Sequence, residues 1–473
     1  MKINNMLYMK FITANPSLAN FSLKKEHSDF SINQIILNAL IGTLVKYDTS
    51  GRVEPYLAES WTVSNDHLVW NFSLRNGLTC ENGEIINAES FRLQLIKQLS
   101  LYAQRGSVIS FDALVGWESF IQFGDSQGLG ITAKHNNQLE FTFSQNPEDF
   151  LELLRMPYFG YWCDANSEQF ISSGSYLLDS YASNSVRIRL RDNWFSNNAN
   201  SPKEVNFRFG DFHDIEPELN TISKLSYSID SLENYTDSYL VLSPPTWFEG
   251  FVLSPFKKGL FNDPKNREVF RDRILSLAEK YNISKSFYLT KPLQKDPLKN
   301  KELFSLEHID GPITFALERD NYSSEELNHL TQLLNDIFSI QKIEFEIVKK
   351  GTDADEFYKK TDSNSFFDAR IALVDIGTKI QNFAIKMMFC TKLGISFPDH
   401  QQKIEKLVTK TFLNNLTTDE TYANEFNEIL YSEAVVIPYK HHSEKWLVSN
   451  SIDPESVAAM ILHPRFEKIR FKQ

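Results

Sequence analysis

Residues 40–88 read LIGTLVKYDTSGRVEPYLAESWTVSNDHLVWNFSLRNGLTCENGEIINA, a stretch dense in alternating apolar residues and turn glycines. Leu68, Trp70, Phe72 and Leu74 alternate with polar or outward residues. A period of two puts such a set on one face of a sheet. Asp66 marks the turn that precedes this strand. Gly77 and Gly83 supply backbone freedom at the turns that flank a short strand. Asn87 stands as an N-cap, and Phe91, Leu95 and Leu99 follow at i, i+4 and i+8, the spacing of a helix packed by one face.

The same two periods recur outward from this stretch. Leu139, Phe141 and Phe143 alternate, as do Val205, Phe207 and Phe209. Val186, Ile188 and Leu190 face away from Arg187, Arg189 and Arg191. Leu327, Leu330, Leu334 and Ile337 form one helical stripe behind Ser323 and Glu326, which make a capping-box signature. Ile404, Leu407, Val408 and Leu416 predict a further helix, and Tyr422, Phe426, Ile429 and Leu430 another. From about Gly311 to Asp375 the chain reads strand, helix, strand, loop, strand, with strands at Ile313–Leu317, Ile343–Val348 and Ile371–Asp375. That order is the mark of a βαβ unit in a mostly parallel sheet.

A chain of 473 residues is too long for one ordinary core, so two or three units are expected. With 49 basic against 61 acidic residues the net charge is −12, which repels phosphate backbones and argues against nucleic acid as a partner. The 37 Phe, 18 Tyr and 7 Trp are first of all core material, with a minority left over to line a cleft. Cys80, Cys163 and Cys390 lie far apart, with no metal-ligand spacing and no cofactor motif near them. The default reading is buried free thiols, and the count leaves room for one disulfide. No apolar run reaches the ~20 residues that span a bilayer. Residues 1–11 show no export signal as written, which keeps a cytoplasmic location open.

Motifs of enzymes are mostly missing. GxSxG, HExxH and GxxxxGK[ST] do not occur. SxxK occurs at Ser22–Lys25 and Ser254–Lys257, without the KTG that accompanies it in penicillin-recognising enzymes. His441 and His442 are adjacent. On a strand they point to opposite sides, a poor geometry for one metal ion, so a solvated pair is expected. No catalytic residue and no metal site is predicted.

The opening stretch resembles the family-5 extracellular solute-binding proteins, the oligopeptide-, dipeptide- and nickel-binding components of ABC importers. Pro55, Leu57, Ala58, Glu59, Ser60 and Trp61 match the family pattern, as do Leu74, Arg75, Gly77, Gly83 and Glu84. Ser173-Gly174-Ser175-Tyr176-Leu177 resembles its Gly-Thr-Gly-Pro-Tyr turn, with Ser175 where Pro is usual. Arg191, Asp192, Asn193 and Trp194 resemble a further stretch. Phe251 to Ser254, then Phe261, Asp263 and Arg267, resemble the crossing into a second lobe, and Ile437-Pro438-Tyr439 the return.

The resemblance implies an α/β protein with a two-lobed, periplasmic-binding-protein type II-like fold and a β-rich subdomain inserted in the first lobe. Lobe I is expected over residues 1–245, with the subdomain at 36–160, lobe II over 246–439, and a return to lobe I over 440–473. Such a protein is not an enzyme. It captures a peptide or similar small solute in a cleft, acts as a monomer outside the cytoplasm, and delivers to ABC permease subunits. An intracellular small-molecule sensor acting on a protein partner is the alternative. By the same resemblance Asp375 stands where peptide binders carry an acid for the solute's ammonium, although the neighbouring Trp and Asp-Pro of that pattern are missing. Tyr161, Trp162, Trp247, Phe251 and Ser254 are the other expected ligand residues.

Overall fold

The computed structural model describes residues 6–12, 31–48, 52–103, 111–147, 150–163, 170–182, 185–192, 194–195, 201–210, 220–225, 238–283, 303–307, 311–317, 322, 324–349, 366–375, 428–457 and 465–472. Ser323, Cys390, the segment expected to be helical from Ile404 to Leu416, and Tyr422 with Phe426 lie outside the described residues. The chain divides into two units, one of Met1–Ser243 with Glu444–Gln473 and one of Pro244–Ser443.

The first unit holds two sheets and a short hairpin. It begins with β1 (Met6–Ile12) and α1 (Ser31–Leu40), followed by the hairpin β2 (Val45–Tyr47) and β3 (Val53–Pro55). A four-stranded antiparallel sheet then forms from β4 (Ala58–Val63), β5 (Val69–Leu74), β6 (Ile131–His135) and β7 (Gln138–Thr142), in the order β4-β5-β7-β6. Burial along β5 alternates as its sequence does, with Trp70, Phe72 and Leu74 inward. Helices α2 (Ala88–Ala103), α3 (Trp117–Phe123) and α4 (Phe150–Leu154) accompany this sheet. The ring of Phe150 meets Phe141, Phe72 and Phe111 edge-on, at centroid distances of 4.8, 6.0 and 5.7 Å. Edge contacts of this kind suit the ring quadrupoles and fill a small core with few residues.

The second sheet of this unit sets β1 between β10 (Glu204–Gly210) and β11 (Thr221–Leu225), parallel to both. Beyond β10 follow β9 (Ser185–Leu190) and β8 (Tyr176–Ala182), each antiparallel to its neighbour. On β9, Val186, Ile188 and Leu190 are buried while Arg187 and Arg189 are exposed. The C-terminal segment completes this sheet, since Ile222–Leu225 pair antiparallel with Val448–Lys445. It also completes the core. Trp446, Val448, Phe466 and Ile469 pack with Ile36 and Leu40 of α1 and with Phe207. Burying that apolar area, at roughly 25 cal/mol per Å², is what draws the chain's end back to its beginning.

Cys80 and Cys163, expected as free thiols by default, form a disulfide. Their Cα atoms are 6.1 Å apart, a separation that a disulfide spans, and no sequence spacing predicts that closeness.

The second unit is built on β12 (Ser238–Leu253), α5 (Pro264–Ser276), β13 (Ile313–Leu317), α6 (Ser324–Phe338), β14 (Phe345–Lys349), β15 (Ala369–Asp375) and β16 (Val436–Ser449). The unit's divisions fall inside β12 and β16. β13 runs parallel to β14 and to β15, and β12 is antiparallel to β15. Asp263 caps α5 by accepting the Lys265 N–H at 2.9 Å, with Pro264 at the first helical position. The α6 stripe buries Leu330, Leu333, Leu334, Ile337 and Phe338, and leaves the expected Leu327 half-exposed. β14 starts two residues later than expected, because Lys342 takes a left-handed φ of 53° and ends the preceding turn. Phe251, Phe270, Phe315 and Phe338 form the centre of this unit's core. Among the described residues no helix is long and apolar enough to cross a membrane.

Candidate functional site

The parallel strands of the second unit set the stage for a site. β14, β13 and β15 end at Lys349, Leu317 and Asp375. In open α/β sheets, ligands collect outside the carboxyl ends of the strands. Asp375 is the last residue of β15, and its direct partner on β12 is Trp247. Two residues expected near a solute, far apart in sequence, are therefore backbone neighbours at that end of the sheet.

The structure separates the other second-unit candidates from this pair. Phe251 is fully buried, with its ring centroid 5.6 Å from Phe270 and 5.4 Å from Tyr439. Its place in the middle of the β12–β15 pairing, opposite Ile371, makes it a core residue. Ser254 follows the end of β12 at the amino end of β15, where its N–H donates to the Asp368 carbonyl at 2.9 Å. The six steps from Ala369 to Asp375 put it about 20 Å along the strand from the Trp247–Asp375 pair. Beside Ser254, the Asp368 carboxylate takes the Lys257 ammonium at 2.6 Å and the Thr314 hydroxyl at 2.7 Å. The SxxK lysine is thus committed to a carboxylate.

In the first unit, Tyr161 and Trp162 are both buried. Tyr161 bridges to Gly42 through its backbone, and its hydroxyl donates to Glu84 at 2.5 Å. Burial, with the Glu84 carboxylate beside it, pushes the Tyr161 phenol up to about 12. The Trp162 indole N–H donates to the Pro157 carbonyl at 2.9 Å while its ring packs on Leu37 of α1 and on Ile41 just after it. These contacts make both side chains supports for α1 and its exit turn, where a cleft lining was expected.

Sequence reasoning missed a buried acid. Glu249 is 1% exposed. One carboxylate oxygen accepts the Tyr322 hydroxyl, and the other lies 2.8 Å from Nε2 of His442. His442, expected in solvent, is buried by this contact, because a carboxylate taken out of water is stable only with donors around it. The signal was present: Glu249 stands alone in the apolar run Trp247-Phe248-Glu249-Gly250-Phe251-Val252-Leu253. A lone acid in such a run must find a partner.

The signature residues of the opening stretch are architectural. Leu57 and Ala58 are fully buried, and Arg75 donates to the Tyr56 carbonyl at 2.7 Å. Arg191 holds the Thr79 carbonyl at 2.7 Å and the Cys80 carbonyl at 3.0 Å. Gly174 donates to the Leu40 carbonyl at 2.9 Å, and any side chain there would collide with the Ala39 carbonyl oxygen. Trp61 is half-exposed over Phe72, and Glu59 and Ser60 are exposed. Among the described residues no group of three His, Cys, Asp or Glu side chains is arranged to hold a metal ion.

Comparison with known proteins agrees with this architecture. Over 100% of both chains the fold matches that of the Haemophilus influenzae OppA complex with RPPGFSPFR, at 13% identity and a TM-score of 0.77. The Escherichia coli murein tripeptide binding protein MppA matches over 99% of this chain and 98% of its own, at 14% identity and a TM-score of 0.74. The fold is therefore that of the two-lobed solute-binding proteins. In sequence, residues 52–221 match the family described as bacterial extracellular solute-binding proteins, family 5 Middle. The nickel-binding periplasmic protein of Escherichia coli strain K12 is 40% identical over 62 residues, which span 13% of this chain and 12% of that relative. The chain is thus similar to the family-5 extracellular solute-binding proteins in sequence over residues 52–221 and to solved two-lobed binding proteins in fold.

Proposed function

We propose that this protein is the solute-binding component of an ABC import system, and that its solute is a peptide or a molecule of similar size and polarity. The support that carries the reading is the whole-length correspondence with two binding proteins described by their peptide ligands. The role is binding and not catalysis, performed by a monomer that delivers to permease subunits. Asp375 and Trp247 are the proposed solute contacts, because they share one register position at the carboxyl end of β15. Phe251, Ser254, Tyr161 and Trp162 are proposed to support the fold around the solute.

The Cys80–Cys163 disulfide favours work outside the cytoplasm, since reducing compartments keep thiols unpaired. That weighs against an intracellular sensor. Titration calorimetry of the purified chain against mixed di- to nonapeptides, a nickel salt and a sugar panel tests the reading. Saturable peptide binding at about micromolar Kd or tighter, worth about 8 kcal/mol, is expected. Silence toward every peptide, with binding to another solute class, would overturn the peptide assignment.

A further inference from the structure

Glu249 stands between the proposed solute contacts and the core of the second unit. On β12 it lies two residues from Trp247, about 7 Å along the strand, and two from the core residue Phe251. Opposite it on β15 is Leu373, two residues before the end of that strand at Asp375. Tyr322 follows the carboxyl end of β13 and precedes α6. His442 comes from β16, the neighbour of β12 on its other side. The buried carboxylate thus gathers three segments at the end of the sheet where the parallel strands finish.

The chemistry of the group fixes the direction of both bonds. An ionised carboxylate has no proton to give, so it accepts from each partner. Tyr322 donates its one hydroxyl proton to one oxygen, and His442 holds a proton on Nε2, 2.8 Å from the other. Toward any further group the phenol oxygen then offers lone pairs alone. In the neutral imidazole the bond at Nε2 sets the tautomer, so Nδ1 is an acceptor too. Packing alone does not call for this arrangement. Phe248, Gly250, Phe251 and Val252 around Glu249 are apolar, and a further apolar residue there would avoid the cost of burying a charge.

We propose that Glu249 is a positioning residue that sets solute specificity. By taking the protons of Tyr322 and His442, it makes this end of the sheet a surface of hydrogen-bond acceptors. Such a surface selects a solute group that donates, an ammonium above all, over one that carries a carboxylate. The inference deepens the proposed function and rests on it for where the solute lies.

One test needs no solute. Ring-nitrogen NMR at about pH 8.5, above the ordinary histidine range, reads the tautomer of His442, with His442→Gln to assign the signal. A proton on Nε2 and none on Nδ1 is expected. A ring protonated at Nδ1 overturns the proposal. The second test is calorimetry of the parent and Glu249→Gln against a peptide with a free N-terminus and the same peptide succinylated, which sets a carboxylate in place of the ammonium. The Gln amide has nearly the volume of the acid, but its NH2 donates, so a partner must turn a proton toward the solute. The preference for the free peptide should narrow about tenfold in the variant. An unchanged preference, or an equal loss for both peptides, overturns the proposal and leaves Glu249 a structural residue. Should Glu249→Gln not fold, Tyr322→Phe deletes one acceptor and should narrow the preference in the same direction. A parent that binds neither peptide refutes the peptide assignment instead, and glucosamine against glucuronate then takes the place of the peptide pair.

Discussion

Cys80 and Cys163 are joined by a disulfide that closes 83 residues of chain, tying the turn after β5 to the segment after Pro157–Phe159. Closing a loop of that length in the unfolded chain lowers its entropy, and typical native disulfides contribute about 2–4 kcal/mol. Cys80→Ser with Cys163→Ser should lose that amount in urea unfolding. Reductant should shift the parent's midpoint and leave the double variant's unchanged.

Lys46 gives the first unit a pH dependence. It is buried, donates to the Asn38 carbonyl at 2.6 Å and faces Glu467. Burial is the main cause that brings its ammonium down to about 7, against the attraction of Glu467. A base whose folded value is depressed binds fewer protons in the folded state between that value and its ordinary 10.5. Stability should therefore rise with pH from about 7 to about 10.5, by as much as a few kcal/mol, and the Lys46 contribution should be flat below 7. Lys46→Met should remove this slope, read as Tm against pH. A slope unchanged by the substitution would assign it to another group.

Trp70 and Trp61 are both structural by their places in β5 and β4, but the structure ranks them. Trp70 is 7% exposed, donates its indole N–H to the His67 carbonyl at 3.0 Å and meets Phe150 edge-on at 5.5 Å. Trp70→Ala should cost about 3–5 kcal/mol. Trp61 keeps part of its ring in solvent, so Trp61→Ala should cost about 1–2 kcal/mol. Denaturant midpoints of the two variants check the order. An equal or reversed cost would contradict the ranking.

What the sequence showed, it showed through local periods and short signatures. Strand β5 and strand β9 alternate in burial as their residues alternate in polarity, because one face of each meets a core. The α6 stripe was legible for the same reason. The family resemblance was legible because turn glycines and buried residues recur in fixed register over residues 40–88. Long-range partners were not. The burial of His442 depends on Glu249, which lies 193 residues away. The disulfide could not be read because three cysteines offer more than one pairing. Phe251, Tyr161 and Trp162 looked like ligand aromatics, since no sequence pattern tells a ring facing solute from a ring facing core.

Asp375 carries the last prediction. It ends β15 directly opposite Trp247, the placement that motivates its proposed role toward a solute ammonium. A charge-assisted hydrogen bond of that kind contributes roughly 1.5–3 kcal/mol. Asp375→Asn should then weaken binding of a peptide with a free N-terminus about ten- to a hundredfold, since each 1.4 kcal/mol is a factor of ten. Acetylation of the peptide removes the positive charge, so the acetylated peptide should bind the parent poorly and lose little more in the variant. Calorimetry of both proteins against both peptides measures the coupling. Equal affinity of parent and Asp375→Asn for the free peptide would move the ammonium contact elsewhere, and Glu249 is the next acid to test, two residues along β12 from Trp247.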